Sequence, residues 1–297
     1  MLLAYSSNAY TNYSIEEAIG RVAGLGYAGI EILADVPHAW PADVTPGKKQ
    51  SILRTLEHHG IRIANVNAFM MRGAADPRHP YWHPSWIESV AAKRATRREH
   101  TLRALQLAAD LGTPSIQTEP GGPLEEGQSR AKAMTMFYDG LMPCVEAAER
   151  LGVMLLVEPE PGLLIERFEQ YLELARRVDS PWLGLNFDIG HAYCVEEPPE
   201  QWVGPLAEHT KHYHIEDIAA TREHKHLVPG RGAINLRAVL AEIHKTKYTG
   251  FVTVELYPYV DNPDAAGREA KEYLDGFLAA VNDTAFLEPQ MDTDEHR

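Results

Sequence analysis

The chain has 297 residues, of which 44% are hydrophobic and 24% are charged, which is ordinary for a globular protein. Its formal net charge of −14 disfavours a nucleic-acid partner, because affinity for nucleic acid comes largely from Lys and Arg that neutralise phosphates. No apolar run reaches the roughly 18 residues that a membrane span needs. Only two cysteines occur and no basic leader precedes the first apolar segment, so we expect a cytoplasmic protein without disulfides.

Eight short apolar segments predict the strands of a single (β/α)8 TIM barrel, an α/β architecture that needs about 250 residues. Five of them directly follow a Gly that ends a helical pattern, as in tight helix-to-strand loops. Their nearly continuous apolar character is typical of a parallel sheet that is covered by helices. In chain order, the predicted strands lie within residues 2–5, 24–33, 58–67, 110–118, 154–158, 182–188, 211–215 and 251–255.

Amphipathic segments between the strands predict the helices. Ser14 opens the first helix, and Glu17 follows at the spacing of a capping box. The segment 72–89 contains several prolines and aromatic residues, and a loop of this length in a compact barrel is usually a lid or binding loop. We assign residues 1–282 to the barrel and residues 283–297 to a disordered acidic tail. Further helices are predicted at 129–151, 165–178, 200–209, 236–246 and 265–281.

Each of the last four predicted strands ends in a residue that can bind a metal. The carboxyl ends of barrel strands meet at one mouth, where enzymes of this architecture place their chemistry. Taken singly, such an acid is more often a helix cap or part of a salt bridge, but four on successive strands favour a site. An oxygen-rich set with one imidazole suits one hard or borderline divalent cation. The four residues are Glu158, Asp188, His214 and Glu255.

The same region carries five motifs, which are VEPE at 157–160, FDIGH at 187–191, HIED at 214–217, HLVPGRG at 226–232 and TVEL at 253–256. In this order they resemble the xylose isomerase-like barrels, the sugar phosphate isomerase/epimerase superfamily, over roughly residues 1–280. Members such as ketose 3-epimerases, hydroxypyruvate isomerases and inosose dehydratases hold a divalent metal, often manganese, on a Glu–Asp–His–Glu set. The resemblance implies this role for the four residues above, and it implies that His191 contacts the substrate.

The residues at the mouth also suggest a reaction. An α-hydroxy ketone offers two adjacent oxygens to a cation, whose charge stabilises the enediolate that forms when a neighbouring C–H loses its proton. Glu158 and Glu255 could flank the substrate and act as catalytic base and acid. Reprotonation gives an epimer or an isomer, whereas loss of a β-hydroxyl gives dehydration. We therefore expect a metal-dependent isomerase or epimerase of a ketose or related polyhydroxy carbonyl compound, with a lyase that resembles inosose dehydratase as the alternative.

Five further polar residues are candidates for substrate contact. Glu31 and Gln117 end strands two and four and face the mouth by alternation, although they could simply cap loops. Glu160 shares a strand face with the first ligand, or it pairs with an arginine. His226 and Arg231 lie in a Pro/Gly loop whose backbone could approach an oxyanion or phosphate. Many members of the family carry a Glu where Arg231 stands, so Arg231 could instead pair with an anionic group.

Two other classes of protein remain as hypotheses. Metal-dependent abasic-site endonucleases share this barrel and bind three zinc ions, but His224 and His226 occur here without the paired Asp, which disfavours a nuclease. A non-catalytic subunit of a sugar-processing complex is the other class. Manganese is the expected metal, and magnesium, cobalt or zinc would also accept such a set. The aromatic loop at the mouth could serve an interface in a homo-oligomer.

Overall fold

The computed structural model describes residues 1–70, 72–74, 76, 78 and 82–285, with side chains described up to residue 279. Eight parallel strands pair in chain order and close into a barrel, which confirms the predicted fold. No strand extends more than one residue beyond its predicted segment. Within the described ranges, no helix is long and apolar enough to cross a membrane. The strands are β1 (Leu2–Ser6), β2 (Gly29–Leu33), β3 (Arg62–Asn67), β4 (Ser115–Thr118), β5 (Met154–Val157), β6 (Leu183–Asp188), β7 (Thr210–Ile215) and β8 (Phe251–Val254).

The helices follow the strands as the sequence predicts, and local caps define their ends. Ser14 and Glu17 form the predicted capping box, with the Ser14 hydroxyl accepting the Glu17 N–H. Gly112 and Gly152 end two long helices at φ of 69° and 66°, a conformation that glycine adopts without strain. The helices are α1 (Ile15–Gly24), α2 (Pro46–His59), α3 (Ala91–Leu111), α4 (Arg130–Leu151), α5 (Phe168–Val178), α6 (Ile189–Cys194), α7 (Pro199–Trp202), α8 (Leu236–Lys245) and α9 (Pro263–Ala285).

Three segments differ from the sequence-based prediction. The helix predicted at 200–209 is only the short α7, because Gly204 and Pro205 are poor helix residues and the chain continues in turns. Helix α6 was not predicted, and α9 extends past Val281 to Ala285. Residues 286–297 of the predicted tail lie outside the described residues. So do Pro77, Pro80 and Tyr81 of the loop at 72–89.

The parallel sheet places the polar strand ends side by side. Asp188 at the end of β6 pairs in register with His214 on β7, and Val254 of β8 pairs with Ile215, so that Glu255 follows directly. Apolar side chains fill the layer between the strands and the helices and form one core. Because all strands point the same way, their carboxyl ends form one mouth that is lined by polar groups.

Candidate metal centre and active site

Glu158, Asp188, His214 and Glu255 meet at the mouth of the barrel, and all four are buried. One potential ligand atom from each lies within 4.8 Å of those of the other three. His214 Nδ1 lies 2.9 Å from Glu158 Oε1, 3.7 Å from Asp188 Oδ2 and 3.6 Å from Glu255 Oε2. The structure therefore brings together the four residues that the sequence predicts as ligands.

The chemistry of this cluster fits a divalent cation. Neither carboxylate oxygen of Glu158 has a hydrogen-bond partner among the described residues, and the same holds for Asp188 Oδ2 and His214 Nδ1. The 2.9 Å contact between His214 Nδ1 and Glu158 lacks hydrogen-bond geometry, so both of its atoms remain unpartnered. Buried carboxylates this close repel one another, and burial of unpaired charge is costly. Three carboxylates and one imidazole are suitable ligands for a hard or borderline metal.

The ionisable groups of the cluster have strongly shifted pKa values. Burial raises the pKa of Glu158, and burial together with the charge of Glu158 raises the pKa of Glu255 well above its ordinary value. Burial lowers the pKa of His214, but the surrounding carboxylates, of which Glu31 acts most strongly, raise it well above its ordinary value. Such perturbation of several neighbouring groups is typical of functional sites.

Glu31 lies directly behind His214. Its Oε2 atom is 2.9 Å from His214 Nε2, and its Oε1 atom accepts the Ser6 hydroxyl at 2.8 Å. Although burial raises the pKa of Glu31, the charge of His214 brings it down to about 2, so Glu31 is ionised and only accepts hydrogen bonds. His214 Nε2 therefore donates to Glu31, and Nδ1 faces the cluster, where a bound cation would take the place of a proton. The structure thus shows Glu31 in an orienting contact with His214, and the substrate contact that the sequence predicts for Glu31 stays a prediction.

Amide side chains from the first half of the barrel surround the ligands. Asn8 and Asn67 donate to Glu255 Oε1 at 2.8 and 3.3 Å. Asn65 donates to Glu31 Oε2 at 3.0 Å, and Gln117 Nε2 lies 3.3 Å from His214 Nε2. Gln117 is thus at the mouth, as predicted, but in contact with a ligand. Sequence reasoning did not assign Asn8 or Asn67 to the site. Asn67 is the last residue of β3, a position like those of the candidate ligands, and this position could have identified it.

His191 and His226 lie at the mouth beside the ligands. His191 Nδ1 donates to the Pro159 carbonyl at 3.0 Å, and His226 Nδ1 donates to the Glu255 carbonyl at 2.9 Å. A carbonyl oxygen has no proton to give, so both rings carry their proton on Nδ1. His226 Nε2 lies 3.3 Å from His224 Nε2, and His191 Nε2 lies 3.8 Å from Asp188 Oδ2. Both residues stand where the sequence predicts substrate contact.

The two remaining candidates for substrate contact, Glu160 and Arg231, differ in burial. Glu160 is buried, and burial followed by the charge of Glu158 raises its pKa well above the ordinary value. Arg231 is not brought into the site, because its side chain is 55% exposed and pairs with Glu269 on α9. Asp217 Oδ2 accepts the N–H of neighbouring Gly230 at 3.0 Å and holds the loop against the barrel. Arg231 therefore lies in an ion pair on the surface, and its contact with substrate stays a prediction.

Sequence reasoning also missed a buried pair beside these residues. Arg97 on α3 lies with its Nε 3.7 Å from Glu119 Oε1, and both side chains are fully buried. Burial raises the pKa of Glu119 to about 7, against the lowering effect of Arg97. Glu119 follows Thr118, which pairs in register with Val157, so Glu119 is the β4 counterpart of Glu158. That register could have identified Glu119 as a residue of the mouth.

Comparison with known proteins identifies the family. The xylose isomerase-like TIM barrel family matches residues 19–277. The chain is 26% identical to fructoselysine 3-epimerase of Escherichia coli O157:H7 over 274 residues, which cover 89% of this chain and 94% of that protein. It is 27% identical to inosose dehydratase of Lacticaseibacillus casei over 287 residues, 89% of this chain and 90% of that protein. The crystal structure of a D-tagatose 3-epimerase-like protein aligns with a TM-score of 0.81 and 23% identity, over 96% of this chain and 100% of that one. The chain belongs to the xylose isomerase-like TIM barrel family.

Proposed function

We propose that this protein is a divalent-metal-dependent isomerase or epimerase of a ketose or a related polyhydroxy carbonyl compound. The observation that carries the proposal is the meeting of Glu158 and Glu255 with Asp188 and His214 in one buried cluster. Two carboxylates from separate strands can act on one substrate from two directions. The similarity to a fructoselysine 3-epimerase over most of both chains supports this class of reaction.

Glu158, Asp188, His214 and Glu255 would hold the cation, and we propose manganese because carboxylate-rich sets suit it. When bound, the cation supplies positive charge that polarises the substrate carbonyl and stabilises the enediolate. The protein itself fixes the direction of the ligands. The Glu31 carboxylate holds the His214 ring, and Asn8 holds one oxygen of Glu255.

The two glutamates differ in how firmly they are held. Asn8 and Asn67 both donate to Oε1 of Glu255, which leaves Oε2 for other partners. Glu158 has no such bond from the described residues, so one of its oxygens could hold the cation while the other faces a substrate C–H. In the proposed reaction one carboxylate removes the proton and the other returns it. His191 and His226 are each fixed through Nδ1, and each would present Nε2 to substrate hydroxyls, His226 by exchanging its 3.3 Å contact with His224 Nε2 for the substrate.

Solvent-deuterium exchange tests the proposal without knowledge of the product. The manganese-loaded protein should incorporate deuterium next to the carbonyl of at least one compound in a panel of ketoses and ketocyclitols. Glu158→Gln and Glu255→Gln should each abolish the exchange while the fold survives, because each removes a proton-transfer group. Glu242→Gln, on the outer helix α8, should exchange as the wild type does. Exchange that persists in both active-site variants, or is absent from the wild type over the whole panel, would overturn the proposal.

A dehydratase is the second candidate. Loss of a β-hydroxyl after the same proton abstraction requires an acid, and Glu160 is a buried carboxyl with a strongly raised pKa beside Glu158. The similarity to inosose dehydratase favours the same alternative. Mass spectrometry of the products separates the two reactions, since dehydration lowers the mass by one water and isomerisation leaves it unchanged.

A further inference from the structure

A second group of buried charges lies next to the candidate metal centre. Arg97 and Glu119 are completely buried, and Glu160 is 5% exposed. Arg97 Nε donates to the Pro84 carbonyl at 2.7 Å, and Glu119 Oε2 accepts the N–H of Gly121 at 2.8 Å. The proposed function so far uses neither Arg97 nor Glu119.

Several polar atoms of this group have no hydrogen-bond partner among the described residues. Arg97 Nη1 and Nη2, Glu119 Oε1 and Glu160 Oε2 all lack hydrogen-bond partners in the part of the chain that the structure describes. A purely structural arginine–carboxylate pair normally closes into a bidentate contact, whereas Arg97 Nε stands 3.7 Å from Glu119 Oε1. Buried charged groups without partners are costly, so their presence indicates that something else satisfies them.

The mixture of donors and acceptors defines the chemistry of the missing partner. An anion would face two carboxyl groups, and a cation would face the Arg97 guanidinium. A hydroxyl group both accepts and donates, so it can accept a hydrogen bond from an Arg97 N–H and donate one to Glu119 or Glu160. Glu160 comes two residues after Glu158, so their Cα atoms are at most about 7 Å apart, which is within the span of a sugar chain.

We propose that Arg97, Glu119 and Glu160 form a subsite for hydroxyl groups on the part of the substrate that lies away from the reacting carbonyl. The proposal rests on the proposed function and narrows its substrate class. The substrate is a longer ketose or cyclic polyol ketone, whose remote hydroxyls reach this subsite while its hydroxy-ketone end occupies the metal centre.

Binding of ketoses of different length to the manganese-loaded protein tests the subsite. Dihydroxyacetone has the hydroxy-ketone group but no remote hydroxyl, whereas D-fructose, D-psicose and D-tagatose have three further hydroxyls. In calorimetric titrations at least one hexulose should bind wild-type protein tenfold or more tightly than dihydroxyacetone, about the effect of one hydrogen bond to a charged group. Glu119→Gln and Arg97→Lys should lose that gain and still bind dihydroxyacetone as wild type does.

The controls are Arg98→Lys and Glu99→Gln, which lie next to Arg97 on the exposed side of α3 and should keep the gain. Unchanged binding of dihydroxyacetone by Glu119→Gln shows that this variant is folded and holds its metal. The subsite is refuted if no hexulose binds wild type better than dihydroxyacetone, or if Glu119→Gln keeps the gain. Failure of dihydroxyacetone and every ketose to bind the wild type would instead refute the proposed function.

Discussion

The contact between Glu31 and His214 determines which nitrogen of the imidazole faces the cluster. Because ionised Glu31 accepts a hydrogen bond from the Nε2–H group, the ring presents Nδ1 to the three carboxylates. The sequence shows that β2 carries an acid, but it does not show that the side chain turns toward His214 across the barrel. Alternation along a strand identifies the face, whereas the partner depends on packing in three dimensions.

Glu31→Gln tests this orienting role. The variant should weaken manganese binding by about 10- to 100-fold, as loss of such a hydrogen-bond partner typically does. Competition with a chromogenic chelator measures the dissociation constant. Glu57→Gln, on the exposed side of α2, is the control and should leave it unchanged. If Glu31 contacted the substrate only, the variant would bind manganese normally and show a raised KM.

A buried histidine away from the centre predicts how stability depends on pH. His38 receives a hydrogen bond from Ser7 Oγ at Nδ1 and donates from Nε2 to the Tyr10 carbonyl, both at 3.1 Å. Burial lowers the pKa of His38 to about 4, whereas the unfolded chain takes up the proton at about 6.5. The stability that the neutral ring provides is therefore complete above pH 6.5 and is lost as the pH falls toward 4.

Urea unfolding at pH 7.0 and pH 4.5 measures this effect. The loss in free energy of unfolding between these pH values should be smaller in His38→Gln than in wild type by about 2–3 kcal/mol. Other buried histidines contribute to the pH dependence of both proteins, so the effect of His38 is the difference between the loss in wild type and the loss in His38→Gln. His58→Gln, on the exposed side of α2, should show the wild-type loss. An equal loss in His38→Gln and wild type would contradict the assignment.

At the scale of elements, the start of α6 is built around a glycine. Asp188 caps this helix by accepting the N–H of His191 at 2.6 Å, and the Gly190 N–H donates to Glu216 Oε1 at 2.6 Å. A Cβ atom at position 190 would come within 2.0 Å of that same oxygen. A side chain here would therefore displace Glu216 and disturb the turn that carries both Asp188 and His191.

Gly190→Ala should destabilise the protein by about 1–3 kcal/mol, the usual cost of overpacking, and should also weaken manganese binding. Chemical denaturation and metal titration measure the two effects. Gly204→Ala is the matched control, since a Cβ atom there meets nothing within 4 Å and φ at this position is not positive. Equal stability and equal metal affinity of the two variants would show that the turn tolerates a side chain.

The strands and most helices could be predicted because their signals are local. Gly ends such as those before β4 and β5, and the capping box of Ser14, depend only on neighbouring residues. The burial of Arg97 has no such signal, since Arg94 and Arg98 on the same helix look alike in sequence but are half-buried and exposed. The outward turn of Arg231 likewise depends on Asp217 and Glu269, which tertiary contact brings to it.

At the scale of the whole molecule, the two halves of the barrel contribute different chemistry to the centre. The second half supplies the four candidate ligands, and the first half supplies Glu31 and the supporting amides. The sequence predicted the second half from three acids and one histidine at the ends of successive strands. In the first half it placed Glu31 and Gln117 at the mouth, but it did not assign Asn8 or Asn67, because amides near strand ends show no pattern that separates them from loop caps.

The four candidate ligands lie at the ends of four strands, so a bound cation should stabilise the whole barrel. Manganese at 100 times its dissociation constant should raise the free energy of unfolding of wild type by about 2.7 kcal/mol. His214→Ala should lose most of this increment, since its Nδ1 lies at the centre of the cluster. Thermal or chemical unfolding with and without manganese measures the increment in each protein. His244→Ala, at the exposed end of α8, should retain it, and an undiminished increment in His214→Ala would exclude the imidazole as a ligand.

His191 and His226 are both anchored to main-chain carbonyl oxygens, those of Pro159 and Glu255. A peptide oxygen is present whatever amino acid occupies the position, so point mutation at the anchor does not delete it. The orientation of the two rings is thus determined by the path of the backbone. Substitutions at neighbouring positions can therefore change the side chains around the two rings and leave the ring orientations in place.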